Sequence, residues 1–540
     1  MTESEWDFLI VGAGSAGCVL ANRLAAGGRN RVLLLEAGGS DLSPWIQVPV
    51  GYGRTFTDPR FNWMYESEPD PGIANRTTYC PRGKVLGGSS SINAMVYVRG
   101  HPADFDDWRA AGNPGWGWQD VLPYFRKLED WAGGADEHHG AGGPVHVSDI
   151  GRAAHPLCRT FIDSCAALQI PTTRDFNGAV MEGAGTWQMT IRDGLRVSSA
   201  RAYLRPARRW SNLAVRTGAH VTRVLFNGRR ATGVEYLEHG APRRATARRA
   251  VILAAGAINS PQLLQLSGVG DAALLGRLGI PLVQHAPAVG QGLQDHLAVS
   301  YYYKSRVPTL NDELYPLLGK IRAALRYAWN RSGPLAMSVN QAGAFVRSDL
   351  KLARANLQLY FNPLSYTASK GPRRRITNPD PYSAFLISFN SCRPTSRGSV
   401  TIRSPDPLAR PVIRTNFLST AEDLADVAPG ARLLRRIAAT EPLAGVVESE
   451  LHPGPALSSD AELVQDFRER AGPVFHASCT CAMGPDASRA VVDTRLRVHG
   501  LEGLRVVDAS VFPAVTSGNI NAAVLMVGER AADLILEDCR

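Results

Sequence analysis

Phe8-Leu9-Ile10-Val11 runs directly into Gly12-Ala13-Gly14-Ser15-Ala16-Gly17, so an apolar strand enters glycines at positions one, three and six of a tight turn. That spacing seats a diphosphate. Gly12 makes the turn, Gly14 lets the backbone approach the pyrophosphate, and Gly17 allows a helix and a strand to pack closely. The helix follows from Cys18 to Ala26, with Val19, Leu20, Ala21 and Leu24 at helical spacing, and its exposed N-terminal N–H groups complete the seat. Arg31 to Leu35 reads as the second parallel strand and ends in Glu36, nineteen positions after Gly17, where a carboxylate accepts both hydrogen bonds of an adenosine ribose. The pattern is that of a dinucleotide site and leaves FAD and NAD both open.

Other small-residue runs bring backbone close to such a ligand. Pro81-Arg82-Gly83 leads through Gly87-Gly88-Ser89 to Asn93-Ala94-Met95-Val96, a loop whose N–H groups and one amide suit a phosphate or a flavin edge. Arg249 to Gly270 reads as a buried parallel strand, a turn through Ala255-Gly256, and a helix with Ser260 as N-cap before Pro261 and Gly268 just past its end. Near the C-terminus, Val474 to Gly484 presents a single histidine, His476, in a small-residue loop. Gly503 to Ser510 is a strand ending in Asp508-Ala509, placed for a second hydrogen bond to the cofactor, and Thr516 to Asn521 opens a helix from Ala522 to Leu536. That helix start suits negative charge, by about 0.3–2 kcal/mol. His138 and His139 read as solvated, and His296, after Asp295, reads as a structural turn histidine; no metal site is expected.

These pieces need a large scaffold. The chain has 540 residues, 44% hydrophobic and 20% charged, enough for two sizeable domains. Net charge is +10, yet Arg205 to Arg209, Arg243 to Arg249 and Arg373 to Arg375 lie in loop-like sequence without interleaved aromatics, which argues against nucleic acid and leaves peripheral contact with anionic lipid open. Eight cysteines without paired spacing exclude a disulfide framework, and the absence of a signal peptide or a long apolar run makes the cytoplasm the expected place, leaving association with a membrane at its cytoplasmic face open. Pro44 to Gly72 holds six aromatics and reads as a lid. Strands Leu213 to Arg216, Ala219 to Leu225 and Gly233 to Tyr236 belong with the nucleotide domain. From Leu297 to Ala471, strands at 299–303, 357–361, 384–389 and 398–402 alternate with helices at Pro316 to Trp329 and Ala421 to Ile437. The fold class is therefore α/β, a Rossmann-like domain with an inserted α+β domain on an antiparallel sheet. Its parts are 1–155, 205–296 and 471–540 for the nucleotide domain, 297–470 for the substrate domain, and 156–204 connecting them.

Taken together, the glycine fingerprint, Gly83 to Asp106, Gly256 to Gly270 and the His476 loop resemble the glucose-methanol-choline (GMC) oxidoreductases, FAD enzymes that oxidise alcohols. The resemblance places the catalytic base at His476, with Thr480, Met483 and Gly484 in register, and a second catalytic residue at Asn519, forty-three positions on. Asn there is similar to the choline and aliphatic-alcohol dehydrogenase branch. Ala477 and Ala482 depart from the Pro and Lys common at those positions. Cofactor contacts are implied at Gly12, Gly14, Ser15, Ala16, Gly17, Glu36, Ala37, Arg82, Gly87, Gly88, Ser89, Asn93, Ala94, Met95, Val96, Val221, Ala255, Gly256, Asp508, Ala509, Asn519 and Ile520. Ile92 stands where covalently flavinylated members have His, so FAD is expected to be non-covalent. Met337 to Gly343 is expected beside the substrate. The implied reaction converts a primary alcohol, such as an alkanol, an aromatic alcohol or choline, to its aldehyde, with oxygen, a quinone or another acceptor taking the electrons. A lyase or light-driven decarboxylase on the same scaffold is the alternative.

Overall fold

A computed structural model of the chain describes residues 5–366 and 379–539; Arg373 to Arg375 lie outside the described residues. The strand Trp6–Val11 is buried along its whole length between two parallel neighbours, Val32–Leu35 and Ala241–Leu253, with Ile10 opposite Leu34 and Ile252. Leu213–Arg216 extends this sheet beyond Val32–Leu35, and Leu504–Val506 closes the other side. Ala241–Leu253 is long enough to serve twice. Its first half pairs antiparallel with Arg230–Glu238, which in turn pairs with Ala219–Asn227, while its second half stays in the parallel layer. The basic run Arg243 to Arg249 is thus in a strand, not a loop. Its arginines are exposed, and Arg244 and Arg248 are held by Glu235 and Asp7.

The helix Ser15–Ala25 packs on Asn521–Glu537 from the far end of the chain. Arg23 reaches the buried Glu529 carboxylate at 2.8 Å, and the Tyr203 hydroxyl donates to the same oxygen at 2.8 Å. A buried carboxylate with two such donors joins three separate stretches of sequence.

The second sheet is antiparallel throughout, in the order Val447–His452, Leu297–Ser305, Ala384–Ser391, Leu357–Asn362, Ala342–Val346, Gly183–Thr186. The two-residue period of a strand sorts its side chains. Val299, Tyr301, Leu359, Phe361, Phe385 and Ile387 face a core under the helices Pro156–Ala167, Val427–Ala438 and Asp460–Arg470. Their chain neighbours Ala298, Ser300, Tyr360 and Ser388 point the other way, toward the nucleotide domain, and line a cavity.

Several local expectations change. Ser260 is not an N-cap: the helix spans Gly256–Leu266 with Ala255 as its cap, Pro261 lies inside it, and Ser260 Oγ bonds to Asp508 instead. Gly268, at φ 84°, does stand just past the helix end. The helix expected over Ala421 to Ile437 is two, Ala421–Ala425 and Val427–Ala438, separated at Asp426. Pro44 to Gly72 is structured, with helical turns at Pro44–Gln47 and Tyr52–Thr55 and a strand Tyr65–Glu66 paired with Tyr79–Cys80.

His139 is not solvated. Its side chain is buried, with Nδ1 2.8 Å from Glu129 and Nε2 2.8 Å from Asp175, and Arg99 Nη2 donates to the same Glu129 oxygen at 2.6 Å. Apolar periodicity carries no trace of this cluster, which ties the segment after Val98 to the loop at 136–140. Burial works to lower the His139 pKa, but the bonds to Asp175 and Glu129 outweigh it and raise it to about 9. A histidine whose folded pKa exceeds its ordinary 6.5 stabilises fully below that value and loses the contribution as pH rises through about 9. His139→Gln is therefore expected to lower Tm by several degrees at pH 6, with the gap from wild type closing above pH 9; a gap independent of pH contradicts the assignment.

Candidate active site

One elongated cavity runs between the two sheets, and most of the residues singled out from sequence face it. At one end are Gly12, Gly14, Ser15 and Ala16 on the first strand-to-helix turn, then Glu36, Ala37 and Val221. Along the middle lie Arg82, Gly88, Ser89, Asn93, Ala94, Met95 and Val96, and across from them Ala255, Gly256, Asp508 and Ala509. His476, Asn519 and Ile520 stand where the cavity meets the antiparallel sheet, with Val339 and Asn340 of the 337–343 segment and Tyr52, Phe56 and Trp63 of the 44–72 stretch. Gly17 and Gly87 sit one layer behind the wall. A Cβ on Gly17 would lie 1.9 Å from the Gly12 carbonyl oxygen, and the Gly87 N–H donates to Ala13 O at 2.8 Å.

This end of the cavity fits a dinucleotide. The helix Ser15–Ala25 has no side-chain cap on its N-terminal turn, so its first N–H groups are presented beside Gly14. Gly88, at φ 53°, brings the second loop against the first: a Cβ there would meet Gly14 Cα at 2.7 Å. Glu36 accepts from Ala13 N–H at 2.9 Å and Gly38 N–H at 2.8 Å, one on each oxygen, which fixes the carboxyl while leaving each oxygen a second lone pair. Burial raises its pKa to about 7 against those two bonds. Asp508 is more fully engaged, taking Gly256 N–H and Ser260 Oγ–H on one oxygen and Ser510 N–H on the other. It braces the turn at Gly256.

The loop bearing His476 is held in a costly conformation. Phe475 and Cys479 have φ of 70° and 73°, a region that suits glycine. Arg82 donates to Phe475 O at 2.5 Å, the His476 N–H donates to Asp295 at 2.7 Å, and Thr480 Oγ1 donates to Ala257 O at 2.6 Å. These bonds fix where the imidazole stands.

His296 then decides what the imidazole can do, which corrects its reading as a turn histidine. Its Nδ1 lies 2.8 Å from His476 Nδ1, and its Nε2 lies 2.9 Å from the Cys392 carbonyl oxygen. A carbonyl only accepts, so His296 Nε2 carries the hydrogen. Burial pushes the His296 pKa down to about 4, so its Nδ1 is a lone pair at neutral pH. His476 Nδ1 must therefore donate, and its Nε2 is left as a bare lone pair, 3.1 Å from Asn519 Nδ2. Burial, then His296, then the Arg82 charge drive the His476 pKa well below 6.5, so the ring stays neutral. The two histidines are 180 residues apart, and nothing in either local pattern couples them.

The comparisons with known proteins agree with this architecture. Two GMC oxidoreductase family profiles match residues 6–298 and 394–528. The mitochondrial choline dehydrogenase of Mus musculus is 44% identical over 99% of this chain and 90% of its own. The alcohol dehydrogenase [acceptor] of Pseudomonas putida is 41% identical over 98% and 96%. Among solved structures, an Aspergillus oryzae formate oxidase studied for FAD modification superposes with a TM-score of 0.91 at 28% identity, covering 100% of this chain and 99% of that one.

If Gly88 brings the two loops together as described, Gly88→Ala should purify with at least roughly tenfold less flavin per protein than wild type, read as the visible-to-ultraviolet absorbance ratio. Equal flavin content contradicts that role.

Proposed function

The chain belongs to the GMC oxidoreductases, FAD-dependent enzymes acting on CH–OH donors, and from that premise we propose that it oxidises an uncharged primary alcohol to the aldehyde with His476 as the base. The observation that carries this reading is the His476 Nε2 lone pair, facing the cavity beside Asn519 Nδ2 with its tautomer set by His296. FAD would lie along Gly14, Glu36, Gly88 and Asn93, without a covalent bond, since Ile92 offers no nucleophile. Bound FAD supplies the acceptor for the hydride that leaves the carbinol carbon.

An alcohol entering between His476 and Asn519 donates its O–H to Nε2 and accepts from the Asn519 amide. As the proton moves to Nε2, Asn519 holds the oxygen's growing negative charge, and the Nδ1–H to His296 contact keeps the ring from turning. Because burial already holds His476 neutral, no proton competes for Nε2 at working pH. The electrons pass on to oxygen, a quinone or another acceptor: the Pseudomonas putida relative is named for an acceptor its name does not specify, and the Vibrio vulnificus relative, 42% identical over 99% of this chain, is named an oxygen-dependent choline dehydrogenase. Those relatives are dehydrogenases, which sets the lyase or decarboxylase alternative aside.

The substrate end argues against choline. It is lined by Tyr52, Ala298, Ser300, Val339, Asn340, Tyr360, Asn362, Tyr366 and Ser388, with no carboxylate among them. Glu36 lies at the nucleotide end, Asp508 is engaged by the Gly256 turn, and Asp295 is outside the cavity lining, its carboxyl taken up by the His476 N–H. Aromatic faces attract a quaternary ammonium by about 0.5–2 kcal/mol, less than the several kcal/mol lost on burying a cation without a counter-charge.

Three outcomes are expected. His476→Ala should lose at least roughly 10²-fold in turnover with flavin content unchanged. His296→Ala should lose less and should shift the acid limb of kcat/KM upward toward 6.5, because one of the influences depressing His476 is gone; an unshifted limb contradicts the positioning role. Under anaerobic conditions, uncharged primary alcohols should bleach the flavin with kcat/KM roughly 10²-fold above choline. Preference for choline contradicts the substrate reading.

A further inference from the structure

Of the fourteen large apolar side chains left exposed among the described residues, six fall between positions 315 and 329, in and just before the helix Leu317–Asn330. Leu317, Leu318, Leu325 and Trp329 are 72%, 69%, 65% and 90% exposed, and Ile321 is 46% exposed. Scattered exposed leucines are ordinary, but a contiguous set on one element marks a surface built for contact.

The geometry of the helix separates three faces. With 3.6 residues per turn, Leu317, Ile321, Leu325, Leu318 and Trp329 fall within about 120° of arc. Roughly opposite that arc are Ala323, the one buried residue of the helix, and Tyr327, whose hydroxyl donates to Gly194 O at 2.8 Å. The apolar face therefore points away from the protein. Arg322 and Arg326 border it on one side and Lys320 on the other, and the segment contains no Asp or Glu. At its C-terminal end Arg331 joins Arg192, Arg201 and Arg205. Burial lowers the Arg201 pKa first, and the charges of Arg205, Arg331 and Arg192 lower it further against Asp193, so these cations share one neighbourhood, in which Arg192 also reaches Asp130 and Asp193 and Arg205 reaches Asp41.

We propose that this helix is a docking element for an anionic lipid surface, lying in the plane of the interface with its Leu and Trp side chains in the acyl boundary and its basic flanks against the headgroups. A single helix that is apolar outward, with Lys320, Arg322 and Arg326 along its edges and no acid of its own, matches that environment, in which apolar burial and charge attraction act together. A second copy of the chain is a poorer occupant, because apposing two such faces would bring like charges together at both rims. No helix among the described residues is long and apolar enough to cross a membrane, so the contact would be on the surface. From the helix the chain passes through the turn Pro334–Ala336 to Val339 and Asn340 on the cavity wall, which places the docked face next in sequence to the substrate end.

The test is flotation of the flavin-loaded protein with vesicles of phosphatidylcholine alone or mixed with phosphatidylglycerol. Binding is expected to the mixed vesicles, falling as salt rises. Leu325→Asp with Trp329→Asp should cut the bound fraction at least roughly tenfold while flavin content and alcohol turnover stay unchanged. Lys320→Glu with Arg322→Glu should remove the preference for anionic vesicles. Failure of the wild-type protein to float with either vesicle, equal binding by the Leu325/Trp329 variant, or a dimer that this variant converts to monomer would each overturn the proposal, the last assigning the face to self-association.

Discussion

The hydrogen bond between the two Nδ1 atoms of His296 and His476, 2.8 Å long, is the contact on which the proposed chemistry rests. One imidazole beside an alcohol has two neutral tautomers, and only one leaves the nitrogen facing the cavity able to take a proton. The Cys392 carbonyl fixes the His296 hydrogen on Nε2, and that in turn fixes the His476 hydrogen on Nδ1. Burial supplies the second requirement by making the imidazolium of either ring costly, so the pair stays neutral and the direction of donation does not fluctuate.

The wider fold can be read as the means of holding that contact against a dinucleotide cavity. His296 immediately precedes the strand Leu297–Ser305 of the antiparallel sheet, while His476 lies in the third pass of the chain through the nucleotide layer, where Cys479, Cys481 and Met483 N–H groups bond to residues 509–511. Strand alternation then decides the substrate wall: every residue that packs the helical core beneath the sheet commits its neighbour to the cavity. Ala298, Ser300 and Ser388 are small and uncharged at positions set by that period, and the proposed preference for an uncharged alcohol rests on them.

The nucleotide end was legible because its signals are local. The glycines at 12, 14 and 17 and the acid at 36 are close in sequence, and each has a backbone reason to be what it is. The antiparallel sheet was legible from alternation in segments such as 299–303 and 357–361. What sequence reading missed was held by long-range polar contacts. His139 and His296 both look like loop histidines in their own neighbourhoods; their roles come from Asp175, Glu129, Cys392 and His476, which only the fold brings near. Ser260 failed for a related reason, since a serine before a proline carries a strong local cap signal, and the distant Asp508 claimed its hydroxyl. The reading of Arg243 to Arg249 as loop confused charge with irregularity: a strand exposed along one stretch can be rich in arginine when Glu235 and Asp7 lie beside it.

The most direct test of the account is the nitrogen-15 NMR spectrum of the protein labelled at histidine, at neutral pH, with the His476 resonances identified by their loss in His476→Gln. The account predicts a bare, pyridine-like Nε2 and a protonated Nδ1 on His476, unchanged as pH falls through 6.5. A protonated Nε2, or a doubly protonated ring at that pH, would contradict it, because the nitrogen facing the substrate could not then act as the base.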